Sequence, residues 1–480
     1  MNFSNRYLLT LVSSGVRAAL AFTVSIQIAK YLAPELYGSY QYILTVSTAI
    51  LLFMNMSTES AFFTLISKKK RHVKFYFSYF SWQLAQILVA LTFLFLIHRD
   101  LYTLLFKDFN LSLVALAFGA AFLVGNIQAT VNHIVESIRK TYLSQVLSIF
   151  VAFIHVAVIS GFVYADYLSI KLLFTVLIFE YLLYATIILF VLKKYSFELF
   201  SNDTFIFKSM VEDFYVYCRP LFVLGLFGFL YVFVDRWLIQ TYVGKEGQAY
   251  FSISMQFSAL TMLVTSSILK IFWKEISESI AQKNFNQTRR YFSVVSLHLF
   301  IISCVLSSVL FFFSDEILSY FYSDAYVGAL LVFKLVMLYP IVQSMGQLYS
   351  VFLLGTDQTK LYKNISIWIS VSSIAVAIFL LSDFGLNAGV EGIAVKLVLM
   401  NVISIMILEY FICDYLAIST TYWTKLKYLT LSFLGAYIVH ELQIYMDVSF
   451  LVQILLVGFL YVLPIGIYLF KSLQRQLSDV

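Results

Sequence analysis

The sequence predicts an all-α protein that crosses a membrane about fourteen times. Of its 480 residues, 61% are hydrophobic and 12% are charged, whereas soluble proteins are about half apolar and about a quarter charged. A single soluble core stops growing at roughly 250–300 residues, so a soluble fold could not bury this much apolar surface. The composition therefore excludes a soluble catalytic domain, a disordered chain and a disulfide scaffold.

Fourteen apolar runs are long enough to cross the bilayer as helices, because a span needs about 20 residues to cover about 30 Å of hydrocarbon. A β-barrel would instead show short alternating strands. The first run has Arg17 near its middle and is longer than the apolar region of a signal peptide, so we interpret it as a retained span. The predicted spans are 8–32, 39–66, 75–97, 110–135, 142–165, 169–192, 216–243, 248–272, 291–313, 327–354, 362–382, 388–412, 426–441 and 449–470.

The basic residues predict the orientation, since cytoplasmic loops are enriched in Lys and Arg. With a cytoplasmic N-terminus, 22 of the 32 Lys and Arg residues lie in inner segments, 5 in outer segments and 5 within spans. The inner set includes the cluster Lys68–Arg71. Both termini are therefore expected on the cytoplasmic side of the membrane, which requires an even number of spans.

An internal repeat relates the two halves of the chain. Residues 31–40, between spans 1 and 2, match residues 242–251, between spans 7 and 8. At a second offset of 215, Lys74, Tyr76, Phe77, Ser78, Ser81 and Leu84 match Arg289, Tyr291, Phe292, Ser293, Ser296 and Leu299. Six spans separate the copies, so both cross the membrane in the same direction, as in transporters with parallel repeats.

The repeat predicts four regions along the chain. They are an N-terminal six-helix bundle (1–195), a cytoplasmic linker (196–215), a second six-helix bundle (216–415), and two extra transmembrane helices with a cytoplasmic tail (416–480).

Three segments carry a family resemblance: AKYLAPELYGSYQY after span 1, VDRWLIQTYVGKEGQAYFSIS after span 7, and GLNAGVEGIAVKLV before span 12. They resemble the polysaccharide-transporter branch of the multidrug/oligosaccharidyl-lipid/polysaccharide (MOP) exporter superfamily, which includes the Wzx-type O-antigen flippases. Family members often have Gly at the position of Ala33, a difference that we expect to matter little in a loop.

The resemblance implies a transporter that moves a polyprenyl-pyrophosphate-linked oligosaccharide between leaflets, for O-antigen, capsule or exopolysaccharide synthesis. It implies alternating access of two bundles, contact with membrane lipid, H⁺ or Na⁺ as a coupling ion, and other polysaccharide-assembly membrane proteins as partners. No nucleic-acid partner is expected, because the net charge of +6 is spread along loops.

Ionisable residues within spans are the strongest site candidates, because they are costly in hydrocarbon and usually face a cavity. Arg17 shares a helical face with Thr10, Ser13 and Ser14. A guanidinium grips phosphate oxygens with two hydrogen bonds, so Arg17 is a candidate headgroup ligand. The alternative is a structural ion pair with Glu59, which we also consider as a proton or cation site.

The remaining span charges divide between cavity and interface roles. Asp235 is a second candidate for ion coupling, and Arg236 and Lys334 are candidate headgroup ligands. The alternatives are an interface pair of Asp235 and Arg236, and snorkelling of Lys334 to the surface. Arg219 is a further candidate headgroup ligand, although Arg219 and Lys396 both lie near span ends, where snorkelling is favoured. Glu180 and Glu409 are interpreted as structural or interfacial.

Two polar stripes complete the predicted cavity. Gln128 and Asn132 lie four residues apart in span 4, and the repeat places them onto Gln343 and Gln347 in span 10, after Pro340. These amides would contact sugar hydroxyls, or else form hydrogen bonds between helices.

No catalytic or metal motif is present in the sequence, so no cofactor or metal is expected and the chain is not predicted to be an enzyme. The six histidines are scattered, and no phosphate-binding glycine loop or GxSxG motif occurs. Two alternatives to the flippase stay open: a cation-coupled drug exporter of the same superfamily, and a membrane polysaccharide polymerase or glycosyltransferase. The latter usually needs a large outer loop, and the longest here is about His98–Asn110.

Overall fold

The computed structural model describes residues 3–201, 204–356, 358–444 and 449–478. Throughout these ranges the chain is helical, and an isolated parallel bridge between Arg71 and Phe200 is its only extended pairing. The all-α architecture predicted from composition is confirmed. The chain divides into two compact units, which we call unit 1 (residues 1–241) and unit 2 (residues 242–480).

Unit 1 contains ten α-helices among its described residues. They are α1 (Phe3–Asn55), α2 (Thr58–Lys68), α3 (Val73–Leu96), α4 (Arg99–Phe106), α5 (Leu111–Ala121), α6 (Gln128–Ser137), α7 (Thr141–Tyr164), α8 (Ile170–Leu192), α9 (Ser196–Leu199) and α10 (Phe207–Leu238). A π-helical segment, Phe122–Ile127, joins α5 to α6, and a second one, Ile239–Val243, follows α10.

Unit 2 also contains ten α-helices among its described residues. They are α11 (Lys245–Ala281), α12 (Phe285–Phe312), α13 (Ser314–Phe321), α14 (Leu330–Val336), α15 (Tyr339–Gly355), α16 (Thr359–Leu381), α17 (Gly389–Leu416), α18 (Tyr422–Ile444), α19 (Phe450–Val457) and α20 (Leu463–Ser478). A 3₁₀ segment, Asp324–Ala329, precedes α14, and the π-helical segment Gly458–Val462 joins α19 to α20.

Every predicted span is helical over most of its length. By length and hydropathy, ten helices of the described chain could cross a membrane, and an eleventh candidate is bent by 46° between 207–223 and 225–243. The difference from fourteen arises partly because α1 joins two predicted spans across a kink at Ala33. The runs at 248–272 and 426–441 form α11 and α18, which fall outside this set of candidates.

A sharp backbone break separates the first two spans. Within α1, Ala33 adopts φ 56° and ψ 171°, and Pro34 begins the next helical segment. This conformation belongs to a region that L-residues other than glycine rarely occupy, at a cost of about 1–3 kcal/mol. The expectation that Ala at this position matters little is therefore wrong, because the residue forms a turn that glycine adopts without strain.

The equivalent break in unit 2 lies at Gly244, with φ 94° and ψ −163°. Residues 33 and 244 differ by 211 positions, the offset that relates the two sequence motifs. The same backbone turn thus recurs in both halves, once with glycine and once with alanine.

The second predicted span is also interrupted. Met56 and Ser57 both have positive φ values, 49° and 62°, and separate α1 from α2. In unit 2 the corresponding α11 is one continuous helix of 37 residues. The predicted position of Glu59 inside a continuous span is wrong, because Glu59 lies in the first turn of α2.

Other parts of the repeat agree in detail. The short helices α4 and α13 begin at residues 99 and 314 and end at 106 and 321, so both ends differ by 215. Spans 4 and 10 are both irregular at matching positions: the π-helical segment begins at Phe122, and the break between α14 and α15 begins at Met337. These correspondences support the two-bundle repeat.

Each unit has its own apolar core. In unit 1, Phe62, Tyr79, Val131 and Tyr184 belong to one buried cluster, which holds α2, α3, α6 and α8 together. In unit 2, buried residues such as Phe292 and Phe352 join α12 to α15, and Tyr461 and Ala436 join α18 to the following segment.

The boundary between the units lies later than the sequence analysis places it. Residues 196–241 group with unit 1, and α10 begins at Phe207, within the predicted linker. Residues 196–201 are anchored to unit 1 because Ser201 N donates to the Arg71 carbonyl at 3.0 Å.

Candidate functional site

A cavity of about 360 Å³ with both polar and apolar lining residues lies within unit 1. Helices α1, α6, α7 and α8 form its walls, so it lies inside one bundle. The lining side chains that carry polar atoms are Ser14, Arg17, Gln128, Ser148, His155, Glu180 and Tyr181.

Arg17 lies near the midpoint of residues 3–32, the first segment of α1. Its Nε donates to the Ser13 carbonyl at 3.4 Å, and its Nη2 donates to Ser14 Oγ at 3.3 Å. No carboxylate among the described side chains lies within 4.0 Å of the guanidinium. The two long hydrogen bonds leave most of the five guanidinium N–H groups available to a ligand.

The same cavity is also lined by a histidine–glutamate pair. His155 Nδ1 lies 2.7 Å from Glu180 Oε2, which joins α7 to α8. Glu180 is buried, and its second oxygen, Oε1, has no hydrogen-bond partner among the described residues. A buried carboxylate oxygen without a partner is costly, so this side of the cavity presents acceptor capacity beside the Arg17 cation.

A hydrogen-bonded network lies behind the same walls. Tyr184 donates to Asn132 Oδ1 at 2.5 Å, and Ser148 Oγ donates to the Tyr184 oxygen at 3.3 Å. Gln128 lines the cavity directly at the start of α6, just after the π-helical segment. Such π-helical segments often occur at functional sites. This one directly precedes Gln128, the α6 residue that lines the cavity. Gln128 and Asn132 thus occupy different positions: Gln128 lines the cavity, and Asn132 forms a hydrogen bond between α6 and α8.

Glu59 pairs with a histidine rather than with Arg17. Its Oε1 lies 3.0 Å from His133 Nε2, and Glu136 Oε2 lies 3.7 Å from His133 Nδ1. The imidazole also stacks on Phe63, with ring centroids 4.5 Å apart. The alternative of an Arg17–Glu59 ion pair is therefore wrong in this structure, and two carboxylates flank a single histidine instead.

The charged residues of α10 occupy two different environments. Asp235 is buried and Arg236 is partly buried, and both make contacts within the protein. Arg236 interacts electrostatically with Asp235 and with Tyr37. Arg219 is exposed, with its guanidinium carbon 5.9 Å from the centre of the Tyr215 ring.

In unit 2, the predicted site residues lie on α14 and α15. Lys334, Gln343 and Gln347 are all partly buried, and Gln347 Oε1 has no hydrogen-bond partner among the described residues. Pro340 follows the break between the two helices, at the second position of α15.

Glu409 is the centre of a fully paired buried cluster in unit 2. Lys425 Nζ lies 2.6 Å from Glu409 Oε2, and Tyr349 donates to the same oxygen at 2.7 Å. Thr421 donates to Glu409 Oε1 through its backbone N–H at 3.0 Å and its hydroxyl at 2.7 Å. Every acceptor is occupied, so this cluster has a structural role. Lys396 is also fully buried and has contacts within the protein.

The structure thus brings Arg17 and Gln128 together in one cavity and places Glu59 elsewhere in unit 1. It adds His155, Ser148, Tyr181 and Glu180, which sequence reasoning had missed or assigned to packing. The sequence carried only a weak indication that these residues share a cavity. Ser148 and His155 lie seven residues apart, on one face of a single apolar helix.

Comparison with known proteins gives a partial family match. The MatE family model matches residues 220–379. A comparison with curated protein sequences finds no significant match.

The fold is shared with solved membrane transporters. The lipid II flippase MurJ, in an inward closed conformation, aligns with a TM-score of 0.69 at 17% identity, over 97% of this chain and 99% of MurJ. An inward-facing multidrug resistance MATE family transporter of the MOP superfamily aligns with a TM-score of 0.63 at 12% identity, over 84% of this chain and 94% of its own. A MOP superfamily transporter from Pyrococcus furiosus aligns with a TM-score of 0.55 at 11% identity, over 85% and 94%.

Proposed function

We propose that this protein is a MOP superfamily flippase that moves a polyprenyl-pyrophosphate-linked oligosaccharide from the cytoplasmic to the outer leaflet of a bacterial inner membrane. The repeat unit would serve O-antigen, capsule or exopolysaccharide synthesis. Unit 1 and unit 2 would alternate access, and the lipid tail would stay in the bilayer. The cavity of unit 1 would hold the pyrophosphate through Arg17.

The observation that carries the proposal is the state of Arg17. A cation in the middle of a membrane segment is costly unless a partner or a wet cavity compensates. Arg17 lies on a cavity and has no carboxylate within 4.0 Å among the described residues. An anionic headgroup would supply the missing partner, and hydrogen bonds to charged groups contribute about 1.5–3 kcal/mol each.

The extent of the structural similarity supports a flippase over an exporter. The match to MurJ covers 97% of this chain, whereas the matches to the MATE transporter and to the Pyrococcus furiosus transporter cover 84% and 85%. The two predicted bundles account for twelve spans. Two further spans, here α18 and the α19–α20 pair, would account for a difference of this size in the aligned share of the chain.

Variants of Arg17 test the headgroup assignment. Arg17→Ala should reduce export about 10- to 150-fold, the equivalent of losing 1.5–3 kcal/mol. Arg17→Lys should keep part of the activity because the charge remains while the two-pronged guanidinium is lost. Export is measured as surface polysaccharide, together with the amount of lipid-linked saccharide on each membrane face.

Arg99→Ala is the matched control, because Arg99 is exposed at the start of α4 and its loss should leave export unchanged. Normal export by Arg17→Ala at normal protein level would disprove the headgroup assignment. In a deletion strain, lipid-linked saccharide should accumulate on the cytoplasmic face. Accumulation of single units on the outer face would instead indicate a polymerase.

A second candidate, a cation-coupled drug exporter, is favoured by one observation. The buried Glu180 carboxylate lines the same cavity and has an unpaired oxygen, as a site for a cationic compound would require. Glu180→Gln would then abolish resistance to cationic drugs. The flippase proposal expects no change in drug resistance and a defect confined to polysaccharide export.

A further inference from the structure

A basic pocket of about 290 Å³ lies at the end of unit 1 that the charge distribution predicts to be cytoplasmic. Its cations come from two loops: Lys69 and Lys70 follow α2, and Arg139 follows α6. Glu198 is the one carboxylate among the lining residues, and Lys140 lies 3.8 Å from it. The pocket therefore has an excess of positive charge after this ion pair is counted.

An apolar groove of about 620 Å³ lies next to the basic pocket. Tyr76 and Leu199 line both cavities. These two residues contact each other, so they separate the groove from the basic pocket. Lys193 is the one charged residue that lines the groove, and it is exposed. The apolar lining includes Phe77, Phe80, Ile134, Leu189, Leu192 and Phe200.

Orientation signals alone do not explain this arrangement. A lysine that acts only as an orientation signal needs no fixed side-chain conformation. Its effect depends on its charge and on the side of the membrane where its loop lies. Here Lys70 Nζ donates to the Phe197 carbonyl at 2.9 Å, and Arg71 lies 3.8 Å from Asp213. The bridge between Arg71 and Phe200 fixes the loop against the segment after α8. The basic loop is thus held in place as one wall of a built pocket.

The size and charge of the two cavities specify the ligand. The groove falls within the range of about 300–1,000 Å³ that is typical of ligand sites, and its lining suits an apolar chain. Four cations, Lys69, Lys70, Arg139 and Lys193, border the paired cavities. That charge matches a pyrophosphate better than the single negative charge of a phosphodiester.

We infer that unit 1 carries a staging site for the lipid-linked substrate, separate from the Arg17 cavity. The first part of the polyprenyl chain lies in the groove, and the pyrophosphate lies in the basic pocket. The lipid is captured here from the cytoplasmic leaflet before its headgroup enters the transport cavity. This inference depends on the proposed function, since it takes its ligand from the same substrate class.

Photocrosslinking tests the staging site directly. The full chain is placed in nanodiscs of phosphatidylcholine with a sugar-free polyprenyl pyrophosphate that carries a diazirine in the isoprene units nearest the phosphates. Crosslinked peptides are then identified by mass spectrometry. We expect crosslinks in α3 and α8, at the groove. The yield of crosslinked peptide should reach half of its maximum at a low concentration of the probe.

Two independent variants remove the site. Replacing Lys69, Lys70 and Arg139 by Gln should weaken crosslinking at the groove about tenfold or more, because charge-assisted hydrogen bonds to phosphate are lost. Leu189→Trp should block the groove while keeping every charge. The matched control replaces Lys30, Arg99 and Lys171, three exposed cations of unit 1 outside these cavities, by Gln and should crosslink as the native protein does. Thermal unfolding verifies that each variant is folded.

The outcomes separate this inference from the proposed function. Groove crosslinks that both variants leave unchanged would overturn the staging site. Phosphatidylglycerol that competes as well as unlabelled polyprenyl pyrophosphate would also overturn it, in favour of a general anionic-lipid site. Crosslinks that depend on Arg17 and are absent from the groove would overturn the staging site and leave the flippase proposal standing. Groove crosslinks that persist in Arg17→Ala, with normal export by that variant, would support the staging site and remove the Arg17 assignment.

Discussion

Ala33 and Gly244 occupy the same unusual backbone conformation in the two halves of the chain. At Ala33 the Cβ adds strain of about 1–3 kcal/mol, and glycine would remove it at an entropic cost of about 0.5–1 kcal/mol. The two residues are therefore a matched pair: the backbone at Ala33 in unit 1 is strained, whereas Gly244 adopts the same conformation without strain.

Exchanging these residues should change stability in opposite directions. We expect Ala33→Gly to raise the free energy of unfolding by about 1 kcal/mol and Gly244→Ala to lower it by about 1–2 kcal/mol. No atom lies within 4 Å of a Cβ built on Gly244, so only the backbone conformation is tested. Thermal unfolding in detergent measures both changes.

Gly161→Ala is the control, because Gly161 lies within α7, with open space around its Cβ position. There alanine favours the helix and should stabilise the protein slightly. Destabilisation by Ala33→Gly equal to that of Gly244→Ala would contradict the strain argument.

Glu59 and Asp235 are the carboxylates that we propose for ion coupling. Glu59 faces His133, and Asp235 is buried near the end of α10. Glu59→Gln and Asp235→Asn should each reduce flipping driven by a proton or Na⁺ gradient in vesicles, while the protein level stays near native. Glu246→Gln, at an exposed position, should have no effect.

Flipping at the native rate by both carboxylate variants, with no dependence on either gradient, would rule out ion coupling at these residues. The protein would then work downhill, with transport maintained by consumption of the lipid-linked saccharide in the outer leaflet.

At the level of elements, the Glu409 cluster fixes α18 against α15 and α17. Lys425 and Glu409 are buried and tightly paired, with side-chain exposures of 8% and 3%. Removing one member of such a pair leaves an uncompensated buried charge, which costs about 3–5 kcal/mol. The cluster therefore stabilises the packing of α18 against α15 and α17.

We expect Lys425→Met to destabilise unit 2 by about 3–5 kcal/mol, and the double variant Lys425→Met/Glu409→Gln to be less affected. Lys427→Met is the matched control, because Lys427 is exposed two residues away. Thermal unfolding and limited proteolysis around α18 measure the effect. Equal stability of the Lys425 and Lys427 variants would show that the pair contributes little.

Helix positions followed from the sequence far better than helix interruptions did. Apolar runs of the right length placed each span, because hydropathy is a local property. The break at Met56–Ser57 has neither glycine nor proline at its two positive-φ residues, so no local signal marks it. The break before Pro340 was predictable, since proline removes a backbone donor.

The cavity was predictable in part, for a similar reason. Arg17 stood out because an isolated charge in an apolar run is rare. Its neighbours in the cavity, His155 and Glu180, lie on other helices, and helical periodicity identifies a face without identifying what that face contacts. The partner of Glu59 was missed because the pairing depends on how α2 packs against α6.

For the whole molecule, the orientation in the membrane is the assumption on which the direction of transport depends. The 22-to-5 distribution of basic residues predicts that Ser67 is cytoplasmic and Glu246 external. Both side chains are exposed, so single cysteines there are accessible to a thiol reagent from the facing compartment.

In a background lacking Cys218, Cys304 and Cys413, an impermeant thiol reagent should label Glu246→Cys in intact cells and should label Ser67→Cys only after lysis. Labelling of Ser67→Cys alone in intact cells would invert the topology and remove the basis for the staging site. Each cysteine variant must also export polysaccharide normally, which verifies that the labelled protein is folded.

The continuous helix α11 also explains how the two halves diverged in length. The two backbone breaks are 211 residues apart, whereas Lys74 of α3 and its counterpart Arg289 are 215 apart. The later half therefore contains four additional residues between its backbone break and this matched residue, close to one helical turn of 3.6 residues. An insertion of that size lengthens a helix while rotating its faces by only about 40°. The extra turn lies in a helix that is continuous in unit 2, whereas the matching stretch of unit 1 is divided into α1 and α2 by the break at Met56–Ser57.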